Sequence, residues 1–413
     1  MLHARIKPLP THTHNNVPFQ SNVDEKEQQR QHQEDNAEDH EDEEDLDVFT
    51  SFLPHLFPDE APSCLGDPGK TLLYSSPLYG DLRVVVPGYP AQQEQQSRAA
   101  GEGEAANGIN GSSNVSGSDS ASYSAGDVEE GRRLFAHYLW GGAMVVAEGI
   151  EEADRLRRSG RFDAGSSGTG GREDELLVSR RRKWDVKGQK VLELGAGAAL
   201  PSLIAALAGA DAIAITDHPS SSALYGPIQT TIFGNLSLKE AHERISIHPH
   251  EWGMLPASCE SNTTSQNGSG SSVPSEVGNA ALQFAAANKG GFTRIICADC
   301  LWMSDQHDNL IRSLLWFLAP LRSPTDPSET VPGKDAGGVA WVVAGFHTGR
   351  AVVASFFEKA VSAGLVVEDI WERDMNATSE EGEVTRAWRP VRDDEGPENR
   401  ARWCVVALLR KKE

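Results

Sequence analysis

Long apolar runs are missing from this chain. No stretch approaches the roughly 18 consecutive apolar residues that a membrane-spanning helix needs. The residues after Met1, among them Arg5, Lys7, Pro8 and Pro10, carry no apolar stretch of a secretory signal, so we expect a soluble, intracellular protein, cytoplasmic with a nuclear pool open. Asn-x-Ser/Thr matches at Asn114 and Asn262 then carry no glycosylation meaning. Cysteine is scarce: Cys64, Cys259, Cys297, Cys300 and Cys404 form an odd, scattered set that does not suggest a disulfide framework. Cys297 and Cys300 make a C-x-x-C, and His248 and His250 a close pair. Neither has further ligands at a zinc-site spacing, so both read as packing and no metal is expected. Positive charge is also short, with 38 Lys and Arg against 60 Asp and Glu, a net −22. Phosphate binding needs clustered Lys and Arg, so nucleic acid is not expected as a partner.

What is present is uneven. Only 38% of the 413 residues are hydrophobic and 39 are Gly, a mixture that fits an ordered core interrupted by solvated insertions. Residues 24–47 hold thirteen acidic side chains against two basic ones, half of the whole negative excess. We therefore expect residues 1–47 to be an acidic disordered tail. Residues 48–413 form the domain, with low-complexity insertions at about 91–128, 158–175, 257–291 and 323–337. The basic cluster at residues 180–183 reads as the solvated lead-in to a strand.

Between the insertions the pattern is regular. Strand-like runs at 71–74 and 82–86 come first, then an amphipathic helix over 134–156. From residue 190 apolar strands alternate with helices: strands at 190–194, 212–216, 244–248, 295–299 and 339–345, helices after 197, at 221–236, 306–318 and 352–363. Two more strands, 366–370 and 403–409, close the chain without a helix between them. Alternation implies an α/β fold with a mostly parallel sheet and helices on both faces. The closing pair implies a C-terminal antiparallel hairpin at the edge.

The chemistry gathers at the carboxyl edge of that sheet. The run Val191-Leu-Glu-Leu-Gly-Ala-Gly-Ala-Ala-Leu-Pro201 places a strand, a tight glycine turn and a helix start in succession. Gly195 and Gly197 permit positive φ and the close approach of a ligand. A dinucleotide fingerprint would need a third glycine at 200, where Leu200 stands. The set Glu193, Gly195, Gly197 and Ala199 instead fits a loop whose leading acid suits the cationic methionyl amine of S-adenosylmethionine (SAM). Asp217 closes the next strand, where an acid can accept from both ribose hydroxyls or cap the following helix.

Four stretches together resemble the family 16, seven-strand, SAM-dependent methyltransferases: His137-Tyr-Leu-Trp140, residues 191–203, Thr216-Asp-His-Pro219 and residues 295–307. Glu251-Trp-Gly253 is a shorter fifth match. Within the family the likeness is to fungal enzymes that methylate the N-terminus and adjacent lysine of translation elongation factor 1-alpha; such sequences are also labelled nicotinamide N-methyltransferase-like. It runs from about residue 49 to the end, across insertions that the family lacks. The resemblance implies a Rossmann-like seven-strand sheet, with SAM as cofactor and a protein amine as acceptor. It implies that Trp140, Ala196, Trp252 and Ala298 line the SAM pocket and that Asp299 contacts the target amine. Trp302 stands where the family carries Tyr or Phe beside the acceptor. His347, in a stretch with no matched family residue, reads as a strand-end histidine satisfied by its surroundings. A monomer is expected. Three functions remain open at this level: a protein N-methyltransferase, a small-molecule N-methyltransferase, and a binding scaffold that has lost activity.

Overall fold

The computed structural model describes residues 2–9, 64–88, 138–162, 180–256, 276–321, 337–377, 382–393 and 395–412. The acidic tail beyond residue 9, the whole insertion at about 91–128, residues 163–175, 257–275 and 323–336, and His137 lie outside the described residues.

Five short strands precede the main sheet: β1 (Ile6–Pro8), β2 (Cys64–Leu65), β3 (Thr71–Ser76), β4 (Gly80–Val85) and β5 (Leu139–Trp140). β3 pairs antiparallel with both β1 and β4, and β2 pairs with β5. Helix α1 (Gly141–Arg158) follows directly. The alternating part runs β6 (Lys190–Leu194), α2 (Leu200–Leu207), β7 (Ala212–Asp217), α3 (Pro227–Phe233), α4 (Leu238–Arg244), β8 (Ile245–Pro249), α5 (Glu276–Ala287), β9 (Arg294–Ala298), α6 (His307–Phe317), β10 (Val339–Gly345), α7 (Arg350–Ser362) and β11 (Leu365–Asp374). It ends with β12 (Thr385–Ala387), α8 (Pro397–Ala401) and β13 (Trp403–Lys411).

The sheet order is β12-β11-β13-β10-β9-β6-β7-β8. β8, β7, β6, β9 and β10 are mutually parallel, whereas β13 runs antiparallel to both β10 and β11. The expected seven strands are therefore all present, with short β12 added as an eighth at the edge. The closing pair is antiparallel and at that edge as expected, with β13 lying between β10 and β11.

Strand periodicity decides which layer each side chain joins. Val339, Trp341 and Val343 of β10 enter one core with Val191, Ile296, Val406 and Leu408; Ala340, Val342 and Ala344 enter the other with Leu192, Ile295, Cys297, Val405 and Ala407. α1 and α2 cover the first face, α5, α6 and α7 the second. With both faces covered, these strands read as continuous apolar runs.

Four sequence expectations change in detail. The helix expected over 134–156 starts at Gly141, because Leu139 and Trp140 are extended and pair with Cys64 and Leu65. The helix expected at 221–236 is broken at Gly226, whose φ of 146° interrupts it before Pro227. The insertion expected at 257–291 contains α5, whose Ala281, Phe284 and Ala285 are buried at helical spacing. The basic cluster is tied down rather than solvated. Arg180 pairs with Asp369 at 2.9 Å and lies over the Trp371 ring, Lys183 pairs with Glu368 at 3.0 Å, Arg181 pairs with Glu383, and Arg182 donates to the carbonyl of Phe162.

Candidate active site

Parallel strands deliver their carboxyl ends to one edge, and in an open α/β sheet that edge opens a crevice. Here the crevice encloses about 1130 Å³, part of it open to solvent. Trp140, Glu193, Gly195, Ala196, Gly197, Asp217, Trp252, Ala298, Asp299 and Trp302 all line it. They come from the start of α1 and from the ends of β6, β7, β8 and β9, so the sheet order gathers residues that are up to 162 positions apart in sequence.

The loop after β6 is shaped by three alternate left-handed positions: Gly195 at φ 70°, Gly197 at 50° and Ala199 at 57°. A side chain at Gly195 would meet the Trp252 ring at 3.2 Å and Cys300 Sγ at 3.3 Å, so glycine is needed there for packing as well as conformation. A Cβ at Gly197 would meet nothing within 4 Å, because that side of the backbone is open space. The loop is thus a cradle that a ligand can approach as far as the main chain.

Each of the three acids spends oxygen atoms on backbone amides. Ala199, the N-cap of α2, makes no side-chain cap bond, and the Ser202 amide donates instead to Glu193 Oε2 at 3.1 Å; the Ser202 hydroxyl donates to the same atom. Burial pushes the Glu193 carboxyl up to about 8, against the lowering by Ser202, so near neutral pH it is largely protonated. Asp217 Oδ2 accepts from the Gly197 amide at 2.8 Å and Oδ1 from the His218 amide at 2.7 Å. These bonds fix the cradle to β7 and hold the carboxylate in the crevice wall.

Asp299 does the same for α1. Its Oδ2 accepts from the Gly142 amide at 2.5 Å, and its Oδ1 from the Gly345 amide at 2.9 Å. Trp140, the N-cap of α1, offers no side-chain cap bond, so Asp299 supplies the missing acceptor from another strand. The residue holds φ 52°, a conformation Asp tolerates better than most. The resemblance gives Asp299 to the target amine; in the structure its two oxygens first bind two backbone amides. His347 Nε2 lies 3.8 Å from Asp299 Oδ1, and the His347 ring packs 4.9 Å from Trp140.

The structure adds lining residues that sequence reasoning did not single out, among them Tyr138, His218, Ser221, Met303 and Gln306. Cys300 also lines the crevice. Its thiol donates to the Leu194 carbonyl at 3.2 Å, and Cys297 together with burial holds it protonated. His250, set aside as half of a ligand pair, is another; His248 meanwhile stacks on Phe284 at 4.4 Å. The signal for His250 was its position just past a parallel strand, on the same edge as Asp217.

No family model matches the chain. It is 28% identical over 263 residues to the protein N-terminal and lysine N-methyltransferase EFM7 of Yarrowia lipolytica, covering 62% of this chain and 75% of that protein. The chain is a SAM-dependent methyltransferase related to EFM7. An 84-residue stretch is 38% identical to EFM7 of Gibberella zeae, over 20% of this methyltransferase and 21% of the relative. The Neurospora crassa protein of the same name is 24% identical over 188 residues, 45% of this chain and 49% of that one. A SAM-dependent methyltransferase structure from Aquifex aeolicus overlaps 63% of this chain and 97% of its own at 9% identity. Its TM-score of 0.31 adds nothing to the strand order.

Proposed function

We propose that this methyltransferase transfers methyl groups to a protein amine, either a lysine or an N-terminal α-amine. The observation that supports the reading is the joining of the glycine cradle, Asp217 and the Asp299–Trp302 turn along one crevice, in a chain matched over three-quarters of a protein N-terminal and lysine N-methyltransferase. Translation elongation factor 1-alpha is the first substrate to try, and the cytoplasm the compartment in which to look.

Bound SAM supplies a methyl group already activated on a sulfonium. The protein's own task is therefore to hold donor and acceptor in line, a proximity effect that can lower a barrier by several kcal/mol. Gly195 and Gly197 would let the main chain meet the donor, and Asp217, held by two amides, would accept from ribose hydroxyls. The aromatic faces of Trp140, Trp252 and Trp302 border the crevice and attract a sulfonium or a methylated ammonium by cation–π forces of about 0.5–2 kcal/mol. Asp299 holds the start of α1 and the end of β10 together, and so fixes the wall against which the acceptor rests. The attacking amine must be neutral. An α-amine near pKa 7.7–8 meets that condition more readily than a lysine near about 10.4.

The test mixes the purified protein with labelled SAM, recombinant elongation factor 1-alpha and a fungal lysate. Label in a protein band supports the reading. Label confined to small molecules would redirect it to a metabolite such as nicotinamide, and SAM binding with no transfer would leave a scaffold.

A further inference from the structure

One wall of the crevice is backed by a residue that stands behind it. Trp140, which lines the crevice, immediately precedes α1, and Gly142, two residues on, gives its amide to Asp299 at 2.5 Å. The indole therefore belongs to the Asp299 end of the crevice. Two rings pack on it. Tyr138 meets it edge-to-face, with centroids 6.2 Å apart, and the His347 ring lies 4.9 Å away at a tilt of 44°.

His347 stands two residues past β10, its side chain only 10% exposed, and it is not among the residues that line the crevice. Its Nε2 lies 3.8 Å from Asp299 Oδ1. A Cβ on Gly345 would collide with the imidazole, so the ring needs the bare end of β10 beneath it. A single ring thus fills the space among Trp140, Asp299 and Gly345, which come from three separate elements. The strand that carries Trp140 is two residues long, so the aim of the indole depends on the side chains packed around it. A functional side chain is held in a productive orientation by the groups that lock its rotamer.

In-line transfer places the charged sulfur between the glycine cradle and Asp299, and Trp140 is the aromatic wall beside Asp299. A cation is attracted over the face of an indole within about 6 Å of its centre, and that attraction is lost when the face turns away. We infer that His347 is a positioning residue for the cofactor's charge. By backing Trp140 it keeps the indole face toward the sulfonium, and so sets how strongly the site favours charged SAM over its neutral product, S-adenosylhomocysteine. The inference rests on the crevice being the SAM site and adds a residue outside that crevice to its workings.

Calorimetric titration of the full-length protein with each of the two compounds tests this without an acceptor. His347→Ala should weaken SAM about fivefold and leave S-adenosylhomocysteine within about twofold, which shifts the ratio of the two affinities. His347→Phe, which keeps a flat ring behind Trp140, should hold the wild-type ratio. His347→Asn keeps a polar group near Asp299 but no ring against Trp140, so it should behave as His347→Ala, and it carries the test if His347→Ala does not fold. In a Trp140→Leu background, His347→Ala should move the ratio no further, because the group it positions is gone. Melting temperatures show which variants are folded. The inference is overturned by a folded His347→Ala or His347→Asn variant with the wild-type ratio, including one that loses both compounds in equal proportion. A ratio kept by Asn but not by Phe, or an additive shift in the Trp140→Leu background, overturns it as well. Wild type that binds neither compound would instead remove the SAM reading itself, and this inference with it.

Discussion

Replacing Asp299 by Ala removes two acceptors at once, and the size of the loss follows from the geometry. Gly142 and Gly345 are both buried, and each donates its amide to one Asp299 oxygen, at 2.5 and 2.9 Å. A hydrogen bond to a charged group contributes about 1.5–3 kcal/mol, and a buried amide left without a partner forfeits the whole of it. An anion at a helix N-terminus adds about 0.5 kcal/mol, and Ala in place of Asp at φ 52° adds strain of about 1 kcal/mol. The sum is about 4.5–7.5 kcal/mol. For a domain of this size each kcal/mol shifts the melting temperature by about 2–4 °C, so Asp299→Ala should melt at least about 9 °C lower. Asp299→Asn keeps one carbonyl acceptor and should lose about half as much. Scanning calorimetry reads both, and single-turnover transfer on the same samples reads the effect on chemistry. A melting temperature of Asp299→Ala within about 2 °C of wild type would refute the capping role. If transfer also fell sharply in that stable variant, contact with the acceptor would be the better account.

Three further outcomes follow from the same contacts. A Cβ added at Gly142 would sit 2.5 Å from Asp299 Oδ2, so Gly142→Ala should destabilise as Asp299→Ala does, and the double mutant should be no worse than either; additive melting shifts would contradict the shared contact. Asp217→Ala should weaken SAM binding about tenfold to a hundredfold while the protein stays folded, and unchanged affinity by calorimetric titration would remove Asp217 from the pocket. Glu193 gives a pH signature. Folded, its carboxyl keeps a proton up to about 8, whereas in the unfolded chain it loses it near 4.5, so between those values the native state binds the extra proton and stability declines as pH rises. Glu193→Gln should flatten that decline in denaturant melts at pH 5 and pH 8.5, and parallel profiles for mutant and wild type would show that the carboxyl is not held neutral.

The sequence by itself determined the parallel sheet, the glycine loop and the acids at strand ends. Those features are local: apolar runs of strand length, a turn that only Gly, Gly and a small residue fit at positions 195, 197 and 199, and an acid at a countable distance beyond. The α5 helix stayed hidden because its apolar residues, Ala281, Phe284 and Ala285, follow a low-complexity stretch that masks their period. Tertiary structure alone decided the rest. The insertion of β13 between β10 and β11 depends on pairings across the chain, which no local signal encodes. It also decided what the acids hold. Glu193 and Asp299 each complete a helix start whose own N-cap residue makes no side-chain bond, and that shortage is visible only when Ser202 and Gly142 are seen beside them.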